Sequence, residues 1–383
     1  LLVSCWSASP IVASDPLKVQ FRLHAPGLPA DAGIFITGNV PDLGNWHPAK
    51  VQMRYEGAQV WTHQMLVEQS RRIEYKYTQG SWDREGATAK GRPLSNFSLN
   101  VTKSVTQTDR IDHWTDKNRP PKTDGQITGR ARYHRQMKGR GIRPRDIVVW
   151  LPPGYEASDK RYPVLYMHDG QNVFDPQTSA FGRDWQVDET CTRMITEGEI
   201  EPLIVVGIYN TADRSREYLS GDLGTAYRDF VTEDLKPLID RTYRTKTDRE
   251  HTFTAGSSAG GLCAFILTWK RDGVFSKAIC MSPAFRYSRE DGTMTVDYVT
   301  AVQESAPPKA PTFFYIDNGG VGLEALLQPG IDAMLDALGD KGWRPKQDYD
   351  WKAFPEDKHN EAAWAKRFPN ALKQMLDAPL PRR

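Results

Sequence analysis

The stretch His251 to Phe265, HTFTAGSSAGGLCAF, constrains this chain more than any other. His251-Thr-Phe-Thr254 reads as a short strand, and Leu262-Cys-Ala-Phe-Ile-Leu-Thr-Trp-Lys270 has helical character. Between them, Gly256-Ser-Ser-Ala-Gly260 fits Gly-x-Ser-x-Gly with Ser258 at its centre. A strand that turns into a helix over so few small residues forces the central residue into a strained backbone conformation. It also presents the serine hydroxyl at a helix N-terminus. A phosphate-cradling loop would need Gly-Lys-Ser/Thr, and Gly260-Gly-Leu262 supplies no lysine; a Gly-x-Gly-x-x-Gly dinucleotide turn is also absent. A plain glycine turn is compatible with the pentapeptide taken alone.

The histidines narrow the choice. In the order found in α/β-hydrolases the nucleophile comes first, the acid second and the base last. Of eight histidines, His359 alone follows Ser258. It lies after the strand-like Asp348-Tyr-Asp-Trp-Lys-Ala-Phe354 and before the helix-like Ala362-Ala-Trp-Ala-Lys-Arg-Phe368, so a loop beyond the last strand is expected to carry the base. The acid should sit just past a strand end. Thr312-Phe-Phe-Tyr-Ile316 is that strand, and Asp317-Asn-Gly-Gly-Val-Gly-Leu-Glu324 reads as the loop after it. Glu324 is the expected acid and Asp317 the alternative. An oxyanion hole needs two backbone N–H groups. Ala259 would supply one, and Gln171, in the loop His168-Asp-Gly-Gln-Asn172 after the strand Val164-Leu-Tyr-Met167, the other. His168 is read as bracing that loop. The cluster Arg216-Glu-Tyr218 reads either as pocket lining or as an ordinary surface loop.

The 383-residue chain divides in two. From Pro16 to about His113 short alternating runs such as Val19–Leu23, Gly33–Thr37, Val60–Met65 and Arg72–Tyr77 predict a small antiparallel β-sandwich over 16–113. Polar, Pro-interrupted residues over 114–126 read as a linker. Over 127–383 apolar runs such as Pro202–Tyr209 alternate with helical segments such as Phe230–Ile239, which predicts a mostly parallel sheet flanked by helices. Balanced charge, with a net of +2, argues against a nucleic-acid partner. The basic stretch Arg130–Arg145 reads as an exposed hairpin.

Cys5, Cys191, Cys263 and Cys280 form no Cys-x-x-Cys pair, so no metal site is expected, and the last three read as core residues. Residues 1–15 read as a residual signal or tether segment. Leu1-Leu-Val-Ser-Cys5 resembles a bacterial lipobox, which implies export to the periplasm, the exterior or a lipid anchor at Cys5, the only expected route to a membrane.

Four motifs, Val149-Trp-Leu-Pro-Pro-Gly-Tyr155, Tyr166-Met-His-Asp-Gly-Gln-Asn172, Gly256–Gly260 and His359-Asn-Glu-Ala-Ala-Trp364, resemble the esterase family of α/β-hydrolases. That family includes feruloyl and acetyl xylan esterases, esterase D and the enterochelin esterases. The resemblance implies an α/β-hydrolase fold and a serine carboxylic-ester hydrolase that needs no cofactor. The N-terminal part is similar to starch-binding modules through Thr37-Gly-Asn-Val-Pro-Asp-Leu-Gly-Asn-Trp46 and Glu74-Tyr-Lys-Tyr-Thr-Gln-Gly-Ser-Trp82. That likeness places Trp46, Trp82 and Lys76 at a sugar platform, where flat indoles suit pyranose faces. An ester-decorated carbohydrate carrying acetyl or feruloyl groups is the expected substrate. The alternatives are a siderophore trilactone esterase and a non-catalytic glycan-binding protein.

Overall fold

The computed structural model describes residues 16–68, 70–89, 91, 93–115, 127–180, 182–288 and 294–381. The segment 1–15 with Cys5, and nearly all of the 114–126 linker, lie outside them. The chain separates into two compact units, Leu1–Lys122 and Thr123–Arg383.

In the first unit eight strands form two four-stranded sheets. They are β1 (Leu17–His24), β2 (Phe35–Gly38), β3 (Val51–Gln52), β4 (Arg54–Gly57), β5 (Val60–Val67), β6 (Arg71–Thr78), β7 (Phe97–Val101) and β8 (Val105–Arg110). The sheet orders are β4-β5-β1-β8 and β3-β2-β6-β7. Alternating inward residues, among them Val19, Phe21, Leu23, Ile36, Trp61, Ile73, Tyr75 and Tyr77, make one core, as expected for strands covered on one face. The sandwich is not wholly antiparallel as the sequence suggested, because β1 and β8 run parallel. The unit also extends past His113. His113–Trp114 pairs with Gly86–Ala87, and Thr115 Oγ1 donates to the Asp83 carbonyl at 2.9 Å while accepting the Glu85 N–H.

The second unit is built on an eight-stranded sheet. Its strands are β9 (Arg130–Gly139), β10 (Ile142–Leu151), β11 (Val164–His168), β12 (Ile204–Ile208), β13 (Thr252–Ser257), β14 (Lys277–Met281), β15 (Phe313–Val321) and β16 (Tyr349–Lys358). Their order is β9-β10-β12-β11-β13-β14-β15-β16. The basic stretch forms the β9–β10 hairpin and joins antiparallel, whereas β12 to β16 are parallel. Alternate residues serve opposite faces. Leu165, Met167, Phe253, Ala255, Ile279 and Tyr315 face one core; Val164 and Tyr166 face a second, and Ala278, Cys280, Phe314 and Ile316 a third. Helices α1 (Val187–Thr196), α2 (Asp222–Asp229), α3 (Lys236–Thr242), α4 (Ala259–Lys270), α5 (Leu323–Asp340) and α6 (Glu361–Asp377) cover the faces, with Phe230–Leu235 joining α2 to α3 as a π-helical segment. Cys191, Cys263 and Cys280 are buried free thiols. No helix among the described residues is long and apolar enough to cross a membrane.

Strand β15 runs further than expected. Asp317 to Val321, read as a loop from its glycines, continues the strand and pairs with Lys352, Ala353 and Phe354 on β16. The glycines permit a close approach rather than a turn: a Cβ on Gly319 would lie 2.4 Å from the Asp357 carbonyl, and one on Gly320 2.3 Å from that of Pro355.

Candidate active site

Ser258 stands between β13 and α4 with φ 56° and ψ −125°. A left-handed φ strains any residue with a Cβ, and the surroundings hold it there. Its N–H donates to the Met281 carbonyl at 3.0 Å, and its carbonyl accepts the N–H groups of Leu262 at 3.1 Å and Ala284 at 3.2 Å. A Cβ on Gly256 would meet the Gly260 carbonyl oxygen at 2.4 Å, and one on Gly260 would lie 2.9 Å from Asp169 Oδ2. The small residues are therefore required by contact. Ala259 is the first residue of α4, where backbone N–H groups have no intrahelical acceptor.

His359 follows β16 directly, and Asn360 caps α6 by accepting the Ala363 N–H at 3.0 Å. The imidazole Nδ1–H donates to Glu324 Oε2 at 2.9 Å, and the ring meets Trp364 edge-on with centroids 4.9 Å apart. Glu324, in the first turn of α5, is fully buried. Its other oxygen, Oε1, accepts from Ser282 Oγ at 2.7 Å. Ser282 Oγ in turn accepts from Trp364 Nε1 at 3.0 Å and Arg367 Nη2 at 2.9 Å. Burial pushes the Glu324 carboxyl up, but the bond and charge of His359, helped by Ser282 and Arg367, outweigh it and hold the group below its ordinary range.

The alternative acid, Asp317, has different neighbours. Its Oδ1 accepts the Ser282 N–H at 3.3 Å and lies 3.6 Å from Arg367 Nη1, and its Oδ2 accepts from the Tyr315 hydroxyl at 3.3 Å. Burial, only partly offset by Arg367, lifts it to about 7. The imidazole is thus joined to Glu324, while Asp317 braces the backbone beneath it.

The loop carrying Gln171 is anchored on the opposite side. Gln171 Oε1 accepts the Asn210 N–H at 3.1 Å, and its carbonyl accepts from Thr178 Oγ1 at 2.6 Å. Asp169, with φ 58°, receives a two-pronged bond from Arg214, Nε to Oδ1 at 2.7 Å and Nη2 to Oδ2 at 2.8 Å. Asn210 Nδ2 adds a bond to Oδ1 at 2.6 Å. Burial raises the Asp169 carboxyl, and Arg214 and Asn210 more than reverse that. His168 is buried and pairs with the Tyr227 hydroxyl at 2.8 Å and Thr254 Oγ1 at 3.3 Å; burial lowers it to about 4. Of Arg216-Glu-Tyr218, Glu217 and Tyr218 are buried, not pocket lining. Glu217 holds Arg145 at 2.5 Å, with both side chains fully enclosed. Sequence reasoning did not find Ser282, Arg367 or the Asp169–Arg214 pair. The Asp of His-Asp-Gly was the available signal for that last one, since a carboxylate beside a tight turn needs a partner.

In the first unit, Trp46 and Trp82 are half-buried, each in a short 3₁₀ turn. Both turns are tied to the end of β6, where Thr78 Oγ1 donates to the Pro48 carbonyl at 2.5 Å and Thr78 bridges Glu85. Lys76 departs from its expected place on a sugar platform. It is buried, and its ammonium donates to Glu85 Oε2 at 2.6 Å, so its charge is used inside the unit.

Residues 142–375 match the family model described as "Putative esterase", and residues 16–111 match that of the starch binding domain. An endo-1,4-beta-xylanase/feruloyl esterase of Xylanibacter ruminicola is 30% identical over 135 residues, which are 33% of this chain and 18% of that much longer protein. A solved ferulic acid esterase superposes with a TM-score of 0.53 at 20% identity, covering 64% of this chain and 98% of its own. The enterobactin esterase FES from Shigella flexneri superposes with a TM-score of 0.53 at 14% identity, over 94% of each chain. At these identities the structural likenesses establish the fold, that of α/β-hydrolase esterases.

Proposed function

The chain belongs to the esterase family and is a carboxylic ester hydrolase; on that premise we propose that it is a serine esterase that removes acyl groups, acetyl or feruloyl, from carbohydrate. The observation that carries this reading is the His359–Glu324 bond of 2.9 Å, taken together with a serine held at φ 56° in the turn between β13 and α4.

Ser258 Oγ attacks the ester carbonyl carbon while His359 takes its proton at Nε2. The fixed Nδ1–H···Glu324 bond selects the tautomer that leaves Nε2 free to accept. The oxyanion is held by the N–H groups of Ala259 and Gln171, a contribution of ~10²–10³ in rate per donor. His359 returns the proton to the ester oxygen of the departing sugar; the same ring then deprotonates the water that attacks the acyl carbon, and gives that proton to Ser258 Oγ as the acid leaves. Nothing in this sequence requires a metal or an organic cofactor. The starch-binding match over residues 16–111 and the xylanase-linked relative support a carbohydrate carrier, with Trp46 and Trp82 as its stacking surfaces.

Turnover of p-nitrophenyl acetate by the wild type, Ser258→Ala and His359→Ala tests the catalytic parts. A loss of roughly 10³-fold or more in both variants is expected, and equal background rates in all three would sink the reading and favour a non-catalytic glycan-binding protein. Methyl ferulate and acetylated xylan, set against an enterochelin-type trilactone, then separate the carbohydrate reading from the siderophore one.

A further inference from the structure

At the amino end of α1, Asp184, Asp188 and Glu189 each bring one carboxylate oxygen within 4.8 Å of those of the other two. Asp184 and Asp188 are buried, Asp188 completely, whereas Glu189 is exposed. Two of the oxygens have donors: Asp184 Oδ2 accepts the Gln186 N–H at 3.0 Å, and Asp188 Oδ2 accepts the Thr128 N–H at 2.5 Å. Asp188 Oδ1 has no hydrogen-bond partner although it is shut off from solvent. Among the described residues none of the three carboxylates forms an ion pair.

A buried carboxylate oxygen without a donor, next to two further carboxylates, leaves negative charge uncompensated. The helix terminus does not remove it, since the macrodipole supplies only about half an elementary charge there. The spacing suits a single ion. Oxygens that ligate one calcium at ~2.4 Å lie no more than ~4.8 Å apart. Three carboxylates without nitrogen or sulfur donors select a hard cation, and exposed Glu189 leaves one side open for water ligands.

We propose that Asp184, Asp188 and Glu189 bind a hard divalent cation of the calcium and magnesium class. The ion would fasten the turn before α1 to the helix and to the segment at Thr128. Trp185 lies in that turn. Its N–H donates to the Asn172 carbonyl at 2.9 Å, and its ring lies 5.7 Å from that of Trp364, which contacts His359. The bound ion therefore stiffens one wall behind the histidine without touching the reacting atoms. The proposal holds whether or not the ester-hydrolase chemistry is as described above.

The test is calorimetric titration of the chelator-treated full chain with CaCl2 and, separately, MgCl2, alongside its melting temperature. Saturable heat is expected from at least one of them, with a rise of about 5 °C or more at ~100 times the dissociation constant. Asp188→Asn and Glu189→Gln should each weaken binding at least ~10-fold. Glu189→Gln changes an exposed residue and keeps the test decisive where Asp188→Asn fails to fold. No heat and no shift with either salt would overturn the proposal, leaving a cluster that shares a proton. Unweakened binding by Glu189→Gln would overturn it as well, since the ion would then sit elsewhere.

Discussion

Two polar clusters, each built round a buried carboxylate, abut the Ser258 turn, one from each side. In the first, Glu324, Ser282, Arg367 and Asp317 surround the Nδ1 side of His359, and Ser282 follows Met281, whose carbonyl accepts the Ser258 N–H. In the second, Asp169, Arg214, Asn210 and Tyr218 hold the loop of Gln171, with Asp169 Oδ2 pressed against Gly260. The first contains a carboxyl pushed up to about 7 beside one held down, so its two carboxyls carry unequal charge at neutral pH. The second pairs one carboxylate with one guanidinium through two bonds, a fixed charge that a backbone loop can be built on. The same requirement, that buried charge be compensated, yields an unevenly charged site on one side and a rigid one on the other.

Glu324→Gln should break the comparison most sharply. An amide cannot stabilise the imidazolium, so kcat should fall by ~10³–10⁴ with little change in KM. Asp317→Asn, in the same cluster, should lose less than about tenfold, because Asp317 does not bond the imidazole and is already about half neutral at pH 7. Steady-state kinetics on a soluble ester separate the two, and equal losses would mean that the acid has been misassigned.

In the second cluster Arg214→Met leaves Asp169 without its counter-charge. A destabilisation of about 2–3 kcal/mol is expected in denaturant unfolding, below the ~3–5 of a fully enclosed pair because Arg214 is 33% exposed. Asp169→Asn in the same chain should recover part of it. Full activity in Arg214→Met would show that the pair does not position the oxyanion loop.

Asp317 of the first cluster and His168, whose ring packs against Tyr218 of the second, should respond to pH with opposite sign. His168, lowered from 6.5 to about 4 by burial, contributes stability that is complete above pH 6.5 and lost as pH falls towards 4. Asp317, raised from 3.8 to about 7, contributes stability that is complete below pH 3.8 and lost as pH rises through 7. Each effect is at most ~3–4 kcal/mol. Melting temperatures followed from pH 4 to 8 should fall less towards acid in His168→Gln, and fall less as pH rises from 4 to 7 in Asp317→Asn, and an unchanged profile in both would exclude these groups. The smallest effect belongs to the first unit. Trp46→Ala and Trp82→Ala should each reduce retention on amylose by roughly two- to tenfold, and unaltered retention would remove the sugar platform.

The candidate nucleophile and base were legible because their information is local or countable. The Gly256–Gly260 turn needs small residues wherever it occurs, and one histidine follows it in the chain. The two-unit organisation was legible from the change in hydrophobic period, and the helix over Phe230–Ile239 from its spacing, though the sequence did not foretell its π-helical segment.

The sequence by itself determined where a tight serine turn, a late histidine and an alternating sandwich would be. Only the tertiary structure decided which carboxylate meets the histidine, that Asp317 lies within a strand, that Lys76 is spent on Glu85, and that Ser282 and Arg367 stand behind the acid. The reason is separation along the chain. His359 and Glu324 are 35 residues apart, Ser282 and Arg367 85. Local propensity carries no record of such distances. Sheet register and helix packing bring these residues together, and the cost of burying a charge alone then determines who pairs with whom.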